Sequence, residues 1–477
     1  MIAVILPWPY EATAINSIDH PLIAMQDQPS SIKSLEDASI SYWDAFKFWL
    51  QLGFISFGGP AGQISIMHHE LVEKRKWISD QRFLHALNFC MILPGPEAQQ
   101  LAIYLGWLMD RTLGGVTAGV LFVLPSFLIL IALSTLYLLY GHLTFVVGLL
   151  DGLKPAVSAI VFQAAYRIGL KTLKNWVLLL IALLSFVAIN RLAIPFPAIL
   201  LVAALLGVVV GRFYPVFFTS TAHQPSGLLV KDKAIIDDHT PAPDHAKVSK
   251  AKFVRIAVIG FLLWFLPIAW MVWALGFDHI LTQMSWFFTK AALLTFGGAY
   301  AVLPYVYEGA VSAFSWITPG QMLDGLALGE TTPGPLIIVI TYVGFVGGYV
   351  KSFLGPDSQW LSGFIAASVV TWFTFLPSFV FIFLGGPIIE ASHQQLRLTA
   401  PLNAMTAAIV GVILNLALYL ALHVLMPGEW WTGINFFALL VFVLSLLALI
   451  AFKQSVIRVI LFSSSLGLGF KYLQLML

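Results

Sequence analysis

Long apolar runs without a single charge are the feature that most limits the folds open to this chain. Residues 256–275 are uncharged, and their length gives about 30 Å of helix, the thickness of the hydrocarbon core of a bilayer. Further uncharged runs cover residues 112–141, 176–190 and 361–389. Only 10% of the 477 residues are charged and 59% are hydrophobic, whereas a soluble domain carries about 25% charged residues. The sequence therefore predicts an all-α polytopic membrane protein that has the lipid bilayer as a partner.

The charge balance and the reactive side chains argue against several classes of function. A net charge of +2 argues against nucleic acid as a partner, and a single cysteine, Cys90, excludes an internal disulfide and a cysteine-built metal site. His68, His69 and Glu70 are consecutive, so on a helix they point about 100° apart and do not converge on a metal. The chain has neither a Gly-x-Ser-x-Gly nor a His-Glu-x-x-His motif. We therefore expect no enzyme activity, no cofactor and no bound metal.

The chain also repeats itself. The stretch FISFGGPAGQ at residues 54–63 resembles LLTFGGAYAV at residues 293–302. Three anchors share a shift of 239 residues: Gly58 and Gly297, Trp77 and Trp316, and the Pro-Gly-Pro triplets at 94–96 and 333–335. A later Leu-Pro-Ser-Phe match has a shift of 252, since it stands at 124–127 and at 376–379. The difference between these shifts predicts a 13-residue insertion in the second half, near Lys351.

These matches divide the chain into four parts. Residues 43–218 and 253–477 are predicted to be two homologous transporter repeats. Residues 219–252 are polar and contain prolines, which indicates a cytoplasmic linker. Residues 1–42 lack the basic and apolar segments of a signal peptide and are interpreted as a cytoplasmic tail.

Basic residues indicate that the two repeats are inverted in the membrane. The loop at 70–82 contains Lys74, Arg75, Lys76 and Arg82, whereas its counterpart at 309–321 has no Lys or Arg. Because basic residues collect on the cytoplasmic side, equivalent loops are predicted to face opposite sides. A count of membrane spans gives the same result if both the Gly-Gly and the Pro-Gly-Pro elements re-enter. Five crossings then separate the two repeats, and an odd number of crossings inverts the second repeat. Inverted repeats with broken helices are typical of secondary transporters.

The motifs resemble the chromate transporter family in its long form with two fused halves. The resemblance rests on FGGPAGQISIMHHELVEKRKWIS, LPGPEAQQLAIYLGW, FGGAYAVLPYV and TTPGP. It implies a multi-pass carrier of the cell inner membrane that exports chromate and confers chromate resistance, with sulfate as a related tetrahedral dianion. The proton is the expected coupling ion, and a homodimer is an open alternative. The halves differ, because Ala299 replaces Pro60 and Leu336 replaces Glu97.

Each Pro-Gly-Pro triplet is predicted to break a helix near the midplane. The half-helix that follows would point free N–H groups and about half a positive charge at a shared cavity, which suits an anion. The candidate substrate-binding residues are Gly58, Gly59, Pro60, Gln63, Pro94, Gly95, Pro96, Glu97, Gln99, Gln100, Gly297, Gly298, Thr331, Thr332, Pro333, Gly334 and Pro335. Glu97 and Glu330 are the candidate coupling carboxylates, since an acidic group inside a membrane indicates function. Lys74, Arg75 and Lys76 would form a cytoplasmic funnel that concentrates dianions.

Simpler interpretations remain beside these. The glycines could serve close helix packing, Glu97 could stabilise a helix N-terminus, and the basic loop could serve topology alone. An anion channel also uses broken helices, and an integral-membrane enzyme is the more distant alternative.

Overall fold

A computed structural model describes residues 40–214, 234–237, 244–246, 249–296, 298–391, 399–426 and 433–476. Gly297 and nearly all of the predicted tail lie outside the described residues, as does most of the predicted linker. In the described part the chain is helical and carries no extended sheet, only an isolated bridge between Ile78 and Ile236. Seven of its helices are long and apolar enough to cross a membrane, which confirms an all-α polytopic membrane protein.

The helices form two similar series. The first comprises α1 (Tyr42–Ile55), α2 (Gly59–His68), a π-helical turn (His69–Lys74), α3 (Asp80–Cys90), α4 (Glu97–Tyr140), α5 (Thr144–Thr172), α6 (Trp176–Leu192) and α7 (Phe196–Phe213). One further span, α8 (Lys250–Leu275), follows. The second comprises α9 (Ile280–Leu293), α10 (Ala299–Tyr307), a π-helical turn (Glu308–Ala313), α11 (Pro319–Thr331), a 3₁₀ turn (Leu336–Ile338), α12 (Val339–Lys351), a 3₁₀ turn (Pro356–Ser358), α13 (Gln359–Ala391), α14 (Thr399–Leu425), α15 (Phe436–Ile450) and α16 (Val456–Met476).

The shift of 239 residues holds for local structure as well as for sequence. The π-helical turns His69–Lys74 and Glu308–Ala313 occupy equivalent positions. Both are followed by a tryptophan that packs on an equivalent phenylalanine, because the Phe48 and Trp77 rings lie 5.8 Å apart and the Phe287 and Trp316 rings 5.5 Å apart. Such detailed agreement establishes one structural unit used twice.

Helix α4 is two helices joined by a sharp turn. Asp110 and Arg111 have non-helical backbone angles, and the arms before and after them fold back on each other. Gly106 and Gly114 make this possible, since a Cβ on either would lie within 2.5 Å of the backbone carbonyl of the other. In the second half this two-residue turn is replaced by a longer segment between Lys351 and Gln359, at the place where the sequence predicts the insertion.

Both broken elements return to the side from which they enter. The 11 residues of α3 span only about 16 Å, too short to cross a bilayer. The first arm of α4 returns along α3, because Arg82 near the start of α3 and Tyr104 of that arm bind the same carboxylate, Glu390. The segment that follows α2 leads back to α1, because Trp77 at its end packs on Phe48 in the first half of that helix. Both the Gly-Gly and the Pro-Gly-Pro elements therefore re-enter, as the span count assumes.

The two series run in opposite directions through the membrane. The second arm of α4 and α13 are equivalent, because Ser126 and Ser378 differ by the shift of 252. They pack antiparallel: the Trp360 indole donates to Thr135 Oγ1 at 3.0 Å, the Phe127 and Phe364 rings lie 6.1 Å apart, and Gly119 lies against Phe379. Equivalent spans that cross in opposite directions make the repeats inverted.

The two series are also interlocked. Helix α5 packs against α14, α15 and α16, while its equivalent α14 packs against α5, α6 and α7. Glycine allows the closest of these approaches, since Gly152 contacts the backbone of Ser463 and Gly207 that of Pro401. Each half therefore completes the core of the other.

Candidate functional site

The breaks in four helices meet at the centre of the molecule. The Gly95 N–H donates to the Thr295 carbonyl at 2.7 Å, and the Gly334 N–H donates to the Ser56 carbonyl at 2.7 Å. Ser56 and Thr295 are equivalent residues, each directly before a Phe-Gly-Gly motif. Each Pro-Gly-Pro turn is therefore bonded to the Phe-Gly-Gly break of the opposite repeat, and the structure brings the two triplets to one place.

Backbone geometry and space both require glycine in the two turns. Gly95 has a φ of 133° and Gly334 a φ of 99°, which side chains with a Cβ rarely adopt. A Cβ on Gly95 would lie 2.7 Å from Ser378 Oγ, and one on Gly334 would clash with Ser126 Oγ. Pro333 directly follows Thr332, the C-cap of α11, whereas α3 ends at Cys90, four residues before Pro94. Pro96 is the N-cap of α4.

Side chains of the first repeat bind the second turn. Gln63 Nε2 donates to the Gly334 carbonyl and, at 3.3 Å, to the Ser56 carbonyl. Ser126 Oγ donates to the Pro333 carbonyl at 2.5 Å. Pro60 lies beside Gly298, which brings the two Gly-Gly segments into contact. Gln63 has no amide equivalent in the second repeat, where Val302 occupies its position, so the centre is asymmetric.

Several buried polar atoms around the first turn have no hydrogen-bond partner within the described residues. Both amide atoms of Gln99 are unpaired, although its side chain is fully buried. Gln100 Nε2 donates to the Pro94 carbonyl at 2.7 Å, but its oxygen has no partner. The remaining unpaired atoms of the centre are Ser378 Oγ, beside the first turn, and Gln63 Oε1 and Ser56 Oγ, beside the second. A buried amide without a partner costs about 1–3 kcal/mol, so this cluster is suited to a bound polar group.

The two candidate coupling carboxylates each face a basic residue of α5. Glu97 begins α4 and lies within coulombic range of Lys171. Glu330, at the end of α11, accepts a hydrogen bond from Tyr300 at 2.7 Å and lies within coulombic range of Arg167. The four-residue spacing places Arg167 and Lys171 on one face of α5. Neither residue belongs to the site residues predicted from the sequence, although their four-residue spacing on a helix is a signal that indicates them.

The candidate threonines and the residues of the predicted cytoplasmic funnel contact groups close to them in the sequence or in the fold. Thr331 and Thr332 donate their hydroxyl hydrogens to the Leu328 carbonyl, at 2.8 and 2.7 Å, so those hydrogens are used within α11. Lys74 pairs with Glu70 at 2.9 Å, and the Arg75 guanidinium lies over the Phe48 ring at 5.1 Å. Arg75 thus packs against the protein, and the cytoplasmic funnel stays a prediction.

The consecutive histidines lie in an ion-pair cluster. His68 contacts Asp80 at 2.6 Å, and His69 contacts Glu73 at 2.7 Å. The hydrogen bond from His69 lowers the pKa of Glu73, which lies outside the membrane spans. These contacts tie the π-helical turn to the start of α3.

A buried ion pair near the basic loop was not anticipated. Arg82 Nη2 lies 2.5 Å from Glu390 Oε2, and the two side chains are 10% and 7% exposed. Tyr104 donates to the same carboxylate, and Arg82 also donates to the Asp237 carbonyl at 2.8 Å. Because Arg82 and Glu390 lie 308 residues apart, no local pattern could have indicated this pair.

Comparison with known proteins gives a consistent result. A family model described as Chromate transporter matches residues 43–208 and 282–468. A chromate transport protein of Pseudomonas aeruginosa is 35% identical over 380 residues, which cover 78% of this chain and 80% of that protein. A chromate transport protein of Cupriavidus metallidurans is 30% identical over 374 residues, covering 78% of this chain and 81% of that protein.

A shorter relative matches only part of the chain. An uncharacterised transporter of Bacillus subtilis is 32% identical over 156 residues, which cover 32% of this chain and 79% of that protein. No solved structure matches the chain.

Proposed function

The chain belongs to the chromate transporter family, and we propose that it is a secondary active carrier that exports chromate across the cytoplasmic membrane and is coupled to the proton gradient. The observation that carries this proposal is the bonding of each Pro-Gly-Pro turn to the opposite repeat, beside the unpaired amide of Gln99. Sulfate, which has the same shape and charge, is the second substrate we propose.

The centre offers the kind of chemistry that an oxyanion requires. The first N–H groups of the half-helix that starts at Glu97 have no acceptor within that helix, and its end carries about half a positive charge. Gln99 Nε2 is a buried donor without a partner there. Arg167 and Lys171 add two positive charges on the neighbouring face of α5. We propose that the dianion lies at this helix end, held mainly by amide donors and partly neutralised by α5.

Glu97 and Glu330 are the carboxylates whose protonation we propose to be coupled to the binding of the substrate. A dianion close to Glu97 would repel its negative charge, so binding of the anion favours the protonated acid. Conversely, loss of the proton returns negative charge to the site and favours release of the anion. Lys171 and Arg167 would then pair with the free carboxylates. This reciprocal relation is a coupling between two ligands of one site.

The inverted repeats favour a carrier over an anion channel. Both turns are bonded across the repeats, so a movement of one repeat against the other must change the centre itself. Alternating access by such a movement is the general mechanism of carriers built from inverted repeats. We further propose that the Lys74–Arg82 side is cytoplasmic in the cell inner membrane, because of its basic residues.

Counterflow in proteoliposomes tests this proposal. Vesicles that contain the purified full chain and unlabelled chromate should transiently concentrate labelled chromate, and an imposed pH gradient should drive net uptake. Empty vesicles are the control, and labelled sulfate tests the second substrate. With equal potassium on both sides and valinomycin to hold the membrane potential at zero, a channel would equilibrate the label without transient accumulation, and that result would contradict the carrier.

A further inference from the structure

A cavity opens at the end of the molecule opposite to the Arg82–Glu390 pair. The second arm of α4 begins at the Asp110–Arg111 turn, near the Glu390 end of α13, and ends at Tyr140, about 40 Å further along. The cavity lies at this far end and has a volume of about 370 Å³. Its lining includes Tyr137, His142, Asp151, Lys154, Gln321 and Asp324.

One carboxylate in this cavity is buried and only partly satisfied. The side chain of Asp324, on α11, is 6% exposed. Its Oδ2 accepts a hydrogen bond from Tyr137 at 3.0 Å, and its Oδ1 lies 3.4 Å from the Lys154 ammonium. That Oδ1 atom has no hydrogen-bond partner within the described residues. A charge this deeply buried remains ionised only through a close counter-ion, which here is a single lysine.

The Asp324–Lys154 pair also joins the two repeats. Asp324 belongs to the second repeat, and both of its partners, Lys154 and Tyr137, belong to the first. Glu330 lies six residues after Asp324 on the same helix, about 9 Å away along the axis. A change in the charge of Asp324 can therefore act on the helix that ends at the central site.

We propose that Asp324 is the group that takes up the coupling proton from this cavity, with Lys154 as its counter-ion. The proton binds a carboxylate oxygen, the acid becomes neutral, and its attraction to Lys154 is lost, which frees α11 to move relative to α5. Loss of the proton restores the pair. The inference rests on the proposed function, because it concerns proton-coupled transport by the same molecule.

Other titratable groups near the cavity surround the pair without replacing it. Asp151 lies at its rim and pairs with Lys471 of α16 at 4.0 Å, so the charge of Lys471 is directed to Asp151. His142 lines the turn between α4 and α5, and the Tyr342 ring of α12 lies 5.6 Å from that of Tyr137. Of these groups, Asp151 is 43% exposed, and it provides a matched control carboxylate in the same cavity.

The test compares exchange with gradient-driven transport in proteoliposomes. Asp324→Asn should keep chromate counterflow near the wild-type rate, because exchange needs no net proton movement. Its net chromate uptake driven by a pH gradient should fall about tenfold, and the proton flux that a pH-sensitive dye detects should fall with it. Asp324→Glu should restore both, and Asp151→Asn should leave both unchanged.

Each other outcome is decisive. Normal gradient-driven uptake by Asp324→Asn would overturn the proposal, and so would loss of counterflow together with uptake, since Asp324 would then be needed for transport itself. Failure of Asp324→Glu to restore the proton flux would also overturn it. If the wild-type chain shows no chromate counterflow, the proposed function fails and this inference fails with it.

Discussion

The N–H of Gly95 lies 2.7 Å from the carbonyl oxygen of Thr295, a residue of the other repeat, and the equivalent bond joins Gly334 to Ser56. These two hydrogen bonds hold together four helix breaks that are far apart in the sequence. They explain how a proline-glycine-proline triplet is tolerated inside the membrane, because the backbone groups that it frees find partners in protein instead of facing lipid.

Alanine at either central glycine should impair transport more than alanine at an equally strained glycine elsewhere. Gly95→Ala and Gly334→Ala force a Cβ into a positive-φ conformation, which costs about 1–2 kcal/mol, and into contact with Ser378 and Ser126. Gly355 has a φ of 103° but open space around it, so Gly355→Ala is the matched control. The rate of chromate counterflow and the temperature of thermal unfolding should both fall in the first two variants. Equal loss in all three would assign the effect to backbone strain alone.

The inverted topology predicts labelling from opposite sides of the membrane. Ser79 and Thr318 are equivalent N-cap residues, so cysteine at either position makes the same local change. In a Cys90→Ser background, a membrane-impermeant thiol reagent should label position 79 from the cytoplasmic side and position 318 from the other side. Permeabilised membranes give the total labelling of each. Access to both from one side would refute the inversion.

Glu97→Gln separates a proton carrier from a helix-end charge. A glutamine keeps the size of the side chain and removes its proton, so chromate counterflow should persist while the response to a pH gradient is lost. If Glu97 only stabilises the N-terminus of α4, the variant should lose about 0.3–1 kcal/mol of stability and keep coupled transport. Coupled transport at the normal rate would remove Glu97 from the mechanism.

The internal repeat made much of the fold predictable from the sequence. The shift of 239 residues located the equivalent helix breaks, and the later shift of 252 located the insertion after Lys351. Local chemistry was sufficient for these features, because proline and glycine act on the backbone wherever they stand. The antiparallel packing of α4 and α13 agrees with the inversion that the basic loop indicated.

The polar pairs between the repeats could not be predicted in the same way. Arg82 and Glu390 pair across 308 residues, and their equivalents are Gln321 and Leu138, so the repeat gives no second copy of the pattern. Asp324 and Lys154 likewise have no periodic signal. Their partners depend on which helices pack together, and this is a property of the whole fold.

Breaking the Arg82–Glu390 pair should destabilise the protein strongly. Arg82→Gln or Glu390→Gln leaves a buried charge without its partner, a loss of about 3–5 kcal/mol. The double variant should recover part of the loss, because no charge then remains unpaired. Lys74→Gln, in a more exposed pair with Glu70, should cost less than about 1 kcal/mol. Thermal unfolding in detergent measures all four, and additive losses in the double variant would show that the two residues do not interact.

Gln99 and Gln100 offer the sharpest test of the central site, since they are adjacent, chemically identical and differently bonded. Gln99 has no hydrogen-bond partner within the described residues, whereas Gln100 Nε2 donates to the Pro94 carbonyl at 2.7 Å. Leucine at position 99 removes two buried unpaired atoms, so Gln99→Leu should raise the stability by about 1–3 kcal/mol. If the unpaired amide exists to bind the oxyanion, the same variant should lose chromate counterflow about tenfold or more, since a charged group then loses a donor worth about 1.5–3 kcal/mol. Gln100→Leu should instead lower the stability by about 1 kcal/mol through the lost bond to Pro94. A Gln99→Leu protein that is more stable and still exchanges chromate normally would exclude this amide from substrate binding.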